Sequence, residues 1–281
     1  MFNTNSVAEY YNTTQIHYEK WWNLKKSLSL HYGIYEKGVT NFSEALVNTN
    51  KVLMNLGKIT DHEKILDAGC GVGGAAMYLA LNKEVEVTGI TLSEKQLKFA
   101  TARAHEKKLE SKVNFLLMDY SQTSFENESF DAVWACESIS HSTNYNLFIA
   151  ESYRVLKKGG RLILSDFFLT SENQIDKNNW VKKWIQTWSI SELLNTNKFI
   201  EKLEKEGYKI RIAEDFTQKI EKSAKRMYYA AFLGAIFSET YNFFNPKVSR
   251  FAKHHYRSGY YQYKALKKNL WKYYVIVAYK E

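Results

Sequence analysis

Proline is almost absent from this chain of 281 residues, with Pro246 the single example. A proline-rich linker is therefore excluded. Cysteine is nearly as scarce: Cys70 and Cys136 fall in no CxxC pair and in no Cys/His cluster with metal-ligand spacing, so reduced thiols and no bound zinc are expected. Nowhere is there an uncharged apolar run long enough to span a bilayer, and Met1-Phe2-Asn3-Thr4-Asn5 does not begin a basic segment followed by an apolar one. These absences predict an unexported, cytoplasmic protein. Internal repeats and low-complexity segments are missing as well.

What is present is a 45% hydrophobic chain that can bury a substantial core, with aromatics at 15% of residues. Fifteen of the twenty tyrosines cluster in Glu9 to Tyr35 and in Met227 to Tyr279 rather than in the middle, so centre and ends are expected to do different work. The net charge of +9 is uneven too. From Lys247 to Glu281 nine basic residues face Glu281 alone, which predicts a basic surface. Such a surface is usually a solvated helix face; it leaves contact with a membrane or another anionic partner open.

Apolar periodicity predicts helices over 6 to 27 and 42 to 57, joined by a loop at His31-Tyr32-Gly33-Ile34-Tyr35. An alternating pattern follows: strand Lys64 to Asp67, helix Gly73 to Leu81, strand Val85 to Ile90, helix Ser93 to Lys108, strands Val113 to Met118 and Phe130 to Ala135, helix Asn146 to Leu156, strand Gly160 to Phe168. Short apolar strands between amphipathic helices imply an α/β fold with a mostly parallel sheet covered on both faces. Ser93 is an expected N-cap with Gln96 in the capping-box position. Trp180, Trp184 and Trp188 stand four apart on one helical stripe, which serves a core or a pocket wall equally well. Helix Ser191 to Glu206, strand Tyr208 to Asp215, long helices from Thr217 to about Leu270 and a strand Tyr273 to Ala278 complete the chain.

Ligands of open parallel sheets bind beyond the carboxyl ends of the strands. The first such turn, Asp67-Ala68-Gly69-Cys70-Gly71-Val72-Gly73-Gly74, places four glycines in six positions before a helix N-terminus, which suits a nucleotide-like ligand or a carboxylate. By itself this turn would serve a dinucleotide as well. The later segments narrow it: Gly89-Ile90-Thr91-Leu92-Ser93-x-x-Gln96, Met118-Asp119-Tyr120, Phe130 to Glu137, and Leu156-Lys157-Lys158-Gly159-Gly160-Arg161-Leu162.

In order and spacing these segments, covering residues 64 to 168, resemble the class I S-adenosylmethionine-dependent methyltransferases. The resemblance implies a Rossmann-like seven-stranded, mostly parallel sheet with S-adenosyl-L-methionine as cofactor and S-adenosyl-L-homocysteine as product. It assigns Asp67, Gly69, Cys70, Gly71, Gly73, Thr91, Leu92, Gln96, Asp119, Tyr120 and Cys136 to the cofactor, with Asp119 on the adenine amino group. The departure is Thr91, where most members place an acid for the ribose. Gly-Ile-Thr-Leu-Ser-x-x-Gln instead looks like the sterol, tocopherol and cyclopropane-fatty-acid branch.

After strand four the chain reads Cys136-Glu137-Ser138-Ile139-Ser140-His141, similar to the Glu-Ser-x-x-His segment of small-molecule O-methyltransferases. His141 is the expected base, because an imidazole takes a proton near neutral pH; Glu137 is the second catalytic candidate. The expected division is 1–60 an N-terminal helical lid, 61–170 the cofactor-binding core, and 171–281 acceptor-cap helices with the final strands. Tyr18, Trp22, His31, Trp184, Trp188, Tyr228 and Phe232 are the acceptor-pocket candidates.

So many aromatics outside the core imply a hydrophobic, partly planar small-molecule acceptor, with O-methylation ahead of C-methylation or cyclopropane chemistry. An RNA methyltransferase is the competing class, against which stand the missing Asn/Asp-Pro-Pro-Tyr/Phe segment and the missing RNA-binding module. A cofactor-binding protein without catalysis is the last alternative. The acceptor's identity and the oligomeric state are left open.

Overall fold

The computed structural model describes residues 6–13, 28–245 and 253–281. Helix α1 covers 6–13, so the remainder of the helix expected over 6 to 27 lies outside the described residues, and Tyr18 and Trp22 with it. Helix α2 (Phe42–Leu56) opens with a full capping box, Asn41 accepting from the Glu44 amide. The alternating core follows: β1 (Lys64–Ala68), α3 (Gly74–Asn82), β2 (Glu86–Thr91), α4 (Glu94–Glu106), β3 (Val113–Leu117), β4 (Phe130–Cys136), α5 (Tyr145–Val155) and β5 (Leu156–Leu169). Then come α6 (Trp180–Thr187), α7 (Thr196–Glu206), β6 (Tyr208–Asp215), α8 (Thr217–Phe244), α9 (Arg257–Lys267) and β7 (Trp271–Lys280).

The seven strands form one sheet in the order β3-β2-β1-β4-β5-β7-β6. Strands β1 to β5 run parallel, and β7 is antiparallel to both its neighbours. The order reverses at β1, where β2 and β4 lie on opposite sides, and such a switch point opens a crevice at the strands' carboxyl ends. Strand β5 is long because Leu156 already pairs with Phe130 at one end and Leu169 pairs with Trp271 at the other. Past Ser165, the last residue paired with β4, it continues to Leu169 on β7 alone, with Phe167 and Phe168 buried on opposite faces.

Two cores flank the sheet. Leu53 of α2, Met77 of α3, Ala100 of α4, Trp184 of α6 and Ile220 of α8 pack on one face; Phe148 of α5 and Phe199 and Leu203 of α7 pack on the other. Trp184 is fully buried, edge-on to Trp188 at 5.3 Å and tilted against Trp271 at 4.9 Å. Each ring removes a large apolar area from water, worth roughly 2–3 kcal/mol per fully buried aromatic.

Three sequence expectations shift. Helix α7 starts at Thr196 rather than Ser191, because Asn195 supplies the cap and its side-chain oxygen accepts from the Asn197 amide. The box at Ser93 is only half made: Ser93 accepts from the Gln96 amide, but the Gln96 side chain turns to Thr91 instead. Three of the basic C-terminal residues are partnered by carboxylates from elsewhere in the chain: Arg257 with Glu239, Lys267 with Glu221 and Lys272 with Asp215. The Lys280 ammonium donates to the Tyr153 and Leu156 carbonyls. Among the described residues no helix is long and apolar enough to cross a membrane, and no cluster of His, Cys, Asp and Glu could hold a metal ion. Cys70 and Cys136 are free.

Candidate active site

The glycine turn begins where β1 ends, and it is tied to β2 by the Gly69 and Cys70 amides, which both donate to the Ile90 carbonyl at 3.0 and 2.9 Å. Two of its glycines face different demands. At Gly71 the backbone is left-handed (φ 54°), and an added Cβ would look into the cleft, with Leu30 at 3.4 Å and the Gln96 amide nitrogen at 3.9 Å as its nearest neighbours. At Gly73 an added Cβ would strike the Phe115 ring at 2.5 Å. Gly71 therefore keeps a cradle open, whereas Gly73 lets α3 pack on β3 and does not line the cleft.

Asp67 is 2% exposed, its Oδ2 has no partner, and burial pushes its carboxyl up to about 7. A buried oxygen left bare in this way costs stability until a donor or a cation meets it. Farther along the cleft, Thr91 Oγ1 donates to Gln96 Oε1 at 2.8 Å and accepts from the Ser93 amide at 3.2 Å. That bond fixes the amide group of Gln96, leaving its NH2 as the donor near Gly71. Asp119 stands between the cleft-lining Met118 and Tyr120, and its Oδ1 accepts from the Ser121 amide at 2.8 Å. The Tyr120 hydroxyl donates to the Ser138 carbonyl at 2.9 Å.

The exit of β4 turns sharply. Glu137 adopts φ 50°, a left-handed conformation that costs a non-glycine residue about 1–3 kcal/mol. Three bonds hold it there: its amide donates to the Ser165 carbonyl, and its Oε1 accepts from the Tyr32 amide at 2.7 Å and from the Tyr273 hydroxyl at 2.8 Å. Burial pushes its carboxyl well above the usual range despite those donors. Cys136 beside it shares the cleft wall with Cys70, and both thiols are driven up by burial.

His141 follows on a single 3-10 turn, Ile139–His141, with its Nε2 2.9 Å from the Tyr11 hydroxyl of α1. Burial lowers its imidazole to about 4. His31 is lowered to about 4 for the same reason. Its Nδ1 donates to the Tyr32 carbonyl at 2.9 Å, which leaves Nε2 as a bare acceptor. Asn12 pins α1 over the site by accepting from the Ser93 hydroxyl at 2.6 Å.

Two hollows meet here. The larger, with about 810 Å3 of empty space counted to its open mouth, runs from the glycine turn past Thr91 and Tyr120 to Glu137 and His141. The smaller, about 370 Å3 on the same count, is walled by Tyr10, Tyr32, Phe167, Trp188 and Met227. Tyr11, Leu30, His31, Glu137 and His141 belong to both.

Residues 66–164 match the family described as methyltransferase domain. The chain is 36% identical over 141 residues to the 27-O-demethylrifamycin SV methyltransferase of Amycolatopsis mediterranei, covering 50% of this chain and 52% of that one. It is 32% identical over 169 residues to the sterol 24-C-methyltransferase of Debaryomyces hansenii, covering 60% and 44%. The chain thus spans about half the length of the curated relatives it matches. Its fold is that of the [4+2]-cyclase SpnF, with a TM-score of 0.80 at 20% identity, covering 99% of this chain and 96% of that one.

The core is a class I S-adenosylmethionine-dependent methyltransferase domain.

The methyltransferase domain fits its cofactor on its own geometry: the bare Asp67 Oδ2 answers an ammonium, the Gly71 cradle admits a ligand without a Cβ in the way, and Gln96 offers an amide. Of the cofactor residues expected from the sequence, Asp67, Gly69, Cys70, Gly71, Thr91, Leu92, Gln96, Tyr120 and Cys136 line the larger hollow. Gly73 and Asp119 sit beside it rather than in its wall.

The acceptor-side candidates divide. His31 and Trp188 line the smaller hollow, but Trp184 is fully buried behind it. Tyr228 and Phe232 belong to a separate aromatic cluster with Tyr260, because their faces of α8 turn toward α9 and solvent. Sequence reasoning missed Tyr10, Tyr11, Phe167, Met227 and Tyr273. It also missed Asp166, fully buried one strand over, whose oxygens accept from the Ser140 and Phe167 amides and whose carboxyl is pushed up to about 7.

Proposed function

We propose that the protein methylates a hydroxyl group on a hydrophobic, ring-bearing small molecule such as a terpenoid, polyketide or prenylated ring, with His141 as the proton acceptor. The observation that carries this is the aromatic chamber of Tyr10, Tyr32, Phe167 and Trp188 opening onto the cofactor cleft through His31, Glu137 and His141. S-adenosylmethionine supplies an already activated methyl group, so the protein's task is alignment and removal of one proton. The chamber's rings exclude water and fix an apolar skeleton. His31 Nε2 and the unpartnered Trp188 Nε1–H, both buried, offer one acceptor and one donor to the polar end of the acceptor.

A hydroxyl hydrogen-bonded to Tyr11 can pass its proton to the Tyr11 oxygen while Tyr11 gives its own to His141 Nε2. Burial keeps His141 neutral at physiological pH and also makes it a weaker base than the free imidazole expected from the sequence, so the proton moves only as the forming methyl bond acidifies the hydroxyl. Both the rifamycin and the sterol relative are named for lipophilic substrates, one O-methylated and one C-methylated. C-methylation is the second reading, favoured by one observation: the chamber's aromatic rings stand at the junction beside Glu137, where their faces would stabilise a carbocation.

Incubation with methyl-labelled S-adenosylmethionine and extracts of the source organism, followed by mass spectrometry, tests this. An ether-linked methyl on a lipid-soluble product is expected. A carbon-linked methyl moves the reading to the second chemistry, and label in RNA contradicts both. Absence of any labelled product assigns the cleft to cofactor binding without transfer.

A further inference from the structure

Helix α8 is two-sided. One face, with Ile220, Ser223, Ala224, Met227 and Ala231, is buried against the rest of the protein, and Met227 reaches the aromatic chamber. The opposite face carries Lys222, Lys225 and Arg226 in its first half and then Tyr229, Phe232 and Leu233. At 3.6 residues per turn these six fall within one third of the helix circumference. The three apolar side chains are 57%, 51% and 58% exposed and stand side by side one turn apart, a grouping that marks an interaction surface when rimmed by polar residues.

The charge on this face is of one sign. Lys222 and Lys225 have no carboxylate partner among the described residues, and Arg226 lies over the Phe42 ring at 4.2 Å. Glu221, at the margin of the face, is already paired with Lys267. Cations flanking exposed aromatic and aliphatic side chains are what an interfacial helix presents to anionic lipid: the apolar groups enter the acyl boundary while the long basic chains stay at the headgroups.

We propose that this face of α8 seats the protein on an anionic membrane surface, so that a lipophilic acceptor is collected from the bilayer on one side of the helix and received in the chamber lined by Met227 on the other. The benefit of such seating rests on the lipophilic-acceptor reading; the surface itself does not.

Co-sedimentation with vesicles tests it, using phosphatidylcholine alone and phosphatidylcholine with phosphatidylglycerol as about one third of the lipid. Wild type partitions onto the anionic vesicles and falls off as salt rises. Lys222→Ser/Lys225→Ser binds them about 25-fold more weakly, at about fivefold per cation, and Tyr229→Ser/Phe232→Ser/Leu233→Ser loses at least about tenfold. Calorimetric binding of S-adenosylhomocysteine stays at the wild-type value in both variants, which shows that they fold.

Failure of wild type to bind anionic vesicles overturns the proposal, as does equal binding by wild type and both variants. So does a wild-type dimer that the triple variant abolishes without any vesicle binding, because the face then joins two copies. A vesicle result of either kind leaves the labelled-product experiment to decide the acceptor reading separately.

Discussion

The cofactor cleft and the acceptor chamber share five residues yet are built by opposite means. The cleft floor is made by backbone: left-handed glycines, helix caps and strand exits within residues 67 to 141, closed over by Val7, Tyr11 and residues 28–31. The chamber is made by side chains from far apart in the chain, with Tyr10 from α1, Phe167 from β5, Trp188 from the end of α6 and Met227 from α8. Backbone devices bind a fixed ligand with few degrees of freedom, whereas a wall of side chains can be changed one residue at a time without disturbing the turn. That contrast explains why the cofactor class is settled and the acceptor's identity is not.

Substitutions at the junction break the comparison most sharply. His141→Ala is expected to lower the rate of methyl transfer by about 10²–10⁴ while S-adenosylhomocysteine affinity, read by calorimetry, stays within a few-fold. An equal loss in both quantities would place His141 in the cofactor cleft alone. Gly71→Val is the converse: its branched side chain would point into the cradle and crowd the ligand, at an overpacking cost of about 1–3 kcal/mol in the bound state, so S-adenosylhomocysteine affinity should fall by about 5- to 150-fold. Unchanged affinity would show that the cradle does not carry the ligand.

Glu137→Ala addresses how the junction is held. It strips the acceptor from the Tyr32 amide at a cost of about 1–3 kcal/mol, while the Tyr273 hydroxyl keeps Ser165 Oγ at 3.0 Å. Thermal unfolding should show a lower Tm at every pH. Little change would mean that water replaces the carboxylate.

The smallest expected effect is a pH dependence with two opposed signs. His31 and His141 stay neutral in the folded protein down to about 4, whereas the unfolded chain protonates them near 6.5, so folding loses stability as pH falls between those values. Asp67 and Asp166 keep a proton up to about 7 in the folded protein but release it near 3.8 when unfolded, so they add stability as pH falls from 7. The two sets oppose one another. Glu137, also pushed up by burial, adds to the carboxyl side, so wild-type Tm should rise modestly from pH 7 to 5 and His31→Phe/His141→Phe should gain more over that interval; parallel curves for the two proteins would contradict the buried-histidine assignment.

How much was legible in the sequence follows the same division. Asp67 to Gly74 and Thr91 to Gln96 could be placed because glycine spacing and caps are local, and their partners lie within one βαβ unit. The parallel course of β1 to β5 follows from the alternation for the same reason. Tyr273 could not be found, because it meets Glu137 only through the antiparallel pairing that sets it opposite Phe167 on β5. Asp166 was hidden in an apolar strand. Periodicity identified the Trp180 to Trp188 stripe but could not tell which ring would face the chamber: Trp188 lies just past the helix end and lines it, while Trp184 is sealed behind. Tyr228 and Phe232 show the same limit, since an aromatic helix outside the sheet has several surfaces it can cover.

A crystal structure with S-adenosylhomocysteine bound tests the two-compartment arrangement most directly. The methionine end should lie against Gly71 and Asp67, with the sulfur facing the junction of His31, Glu137 and His141 and open toward Phe167 and Trp188. A ligand whose sulfur points away from that junction, or a glycine turn left empty at saturating ligand, would contradict it.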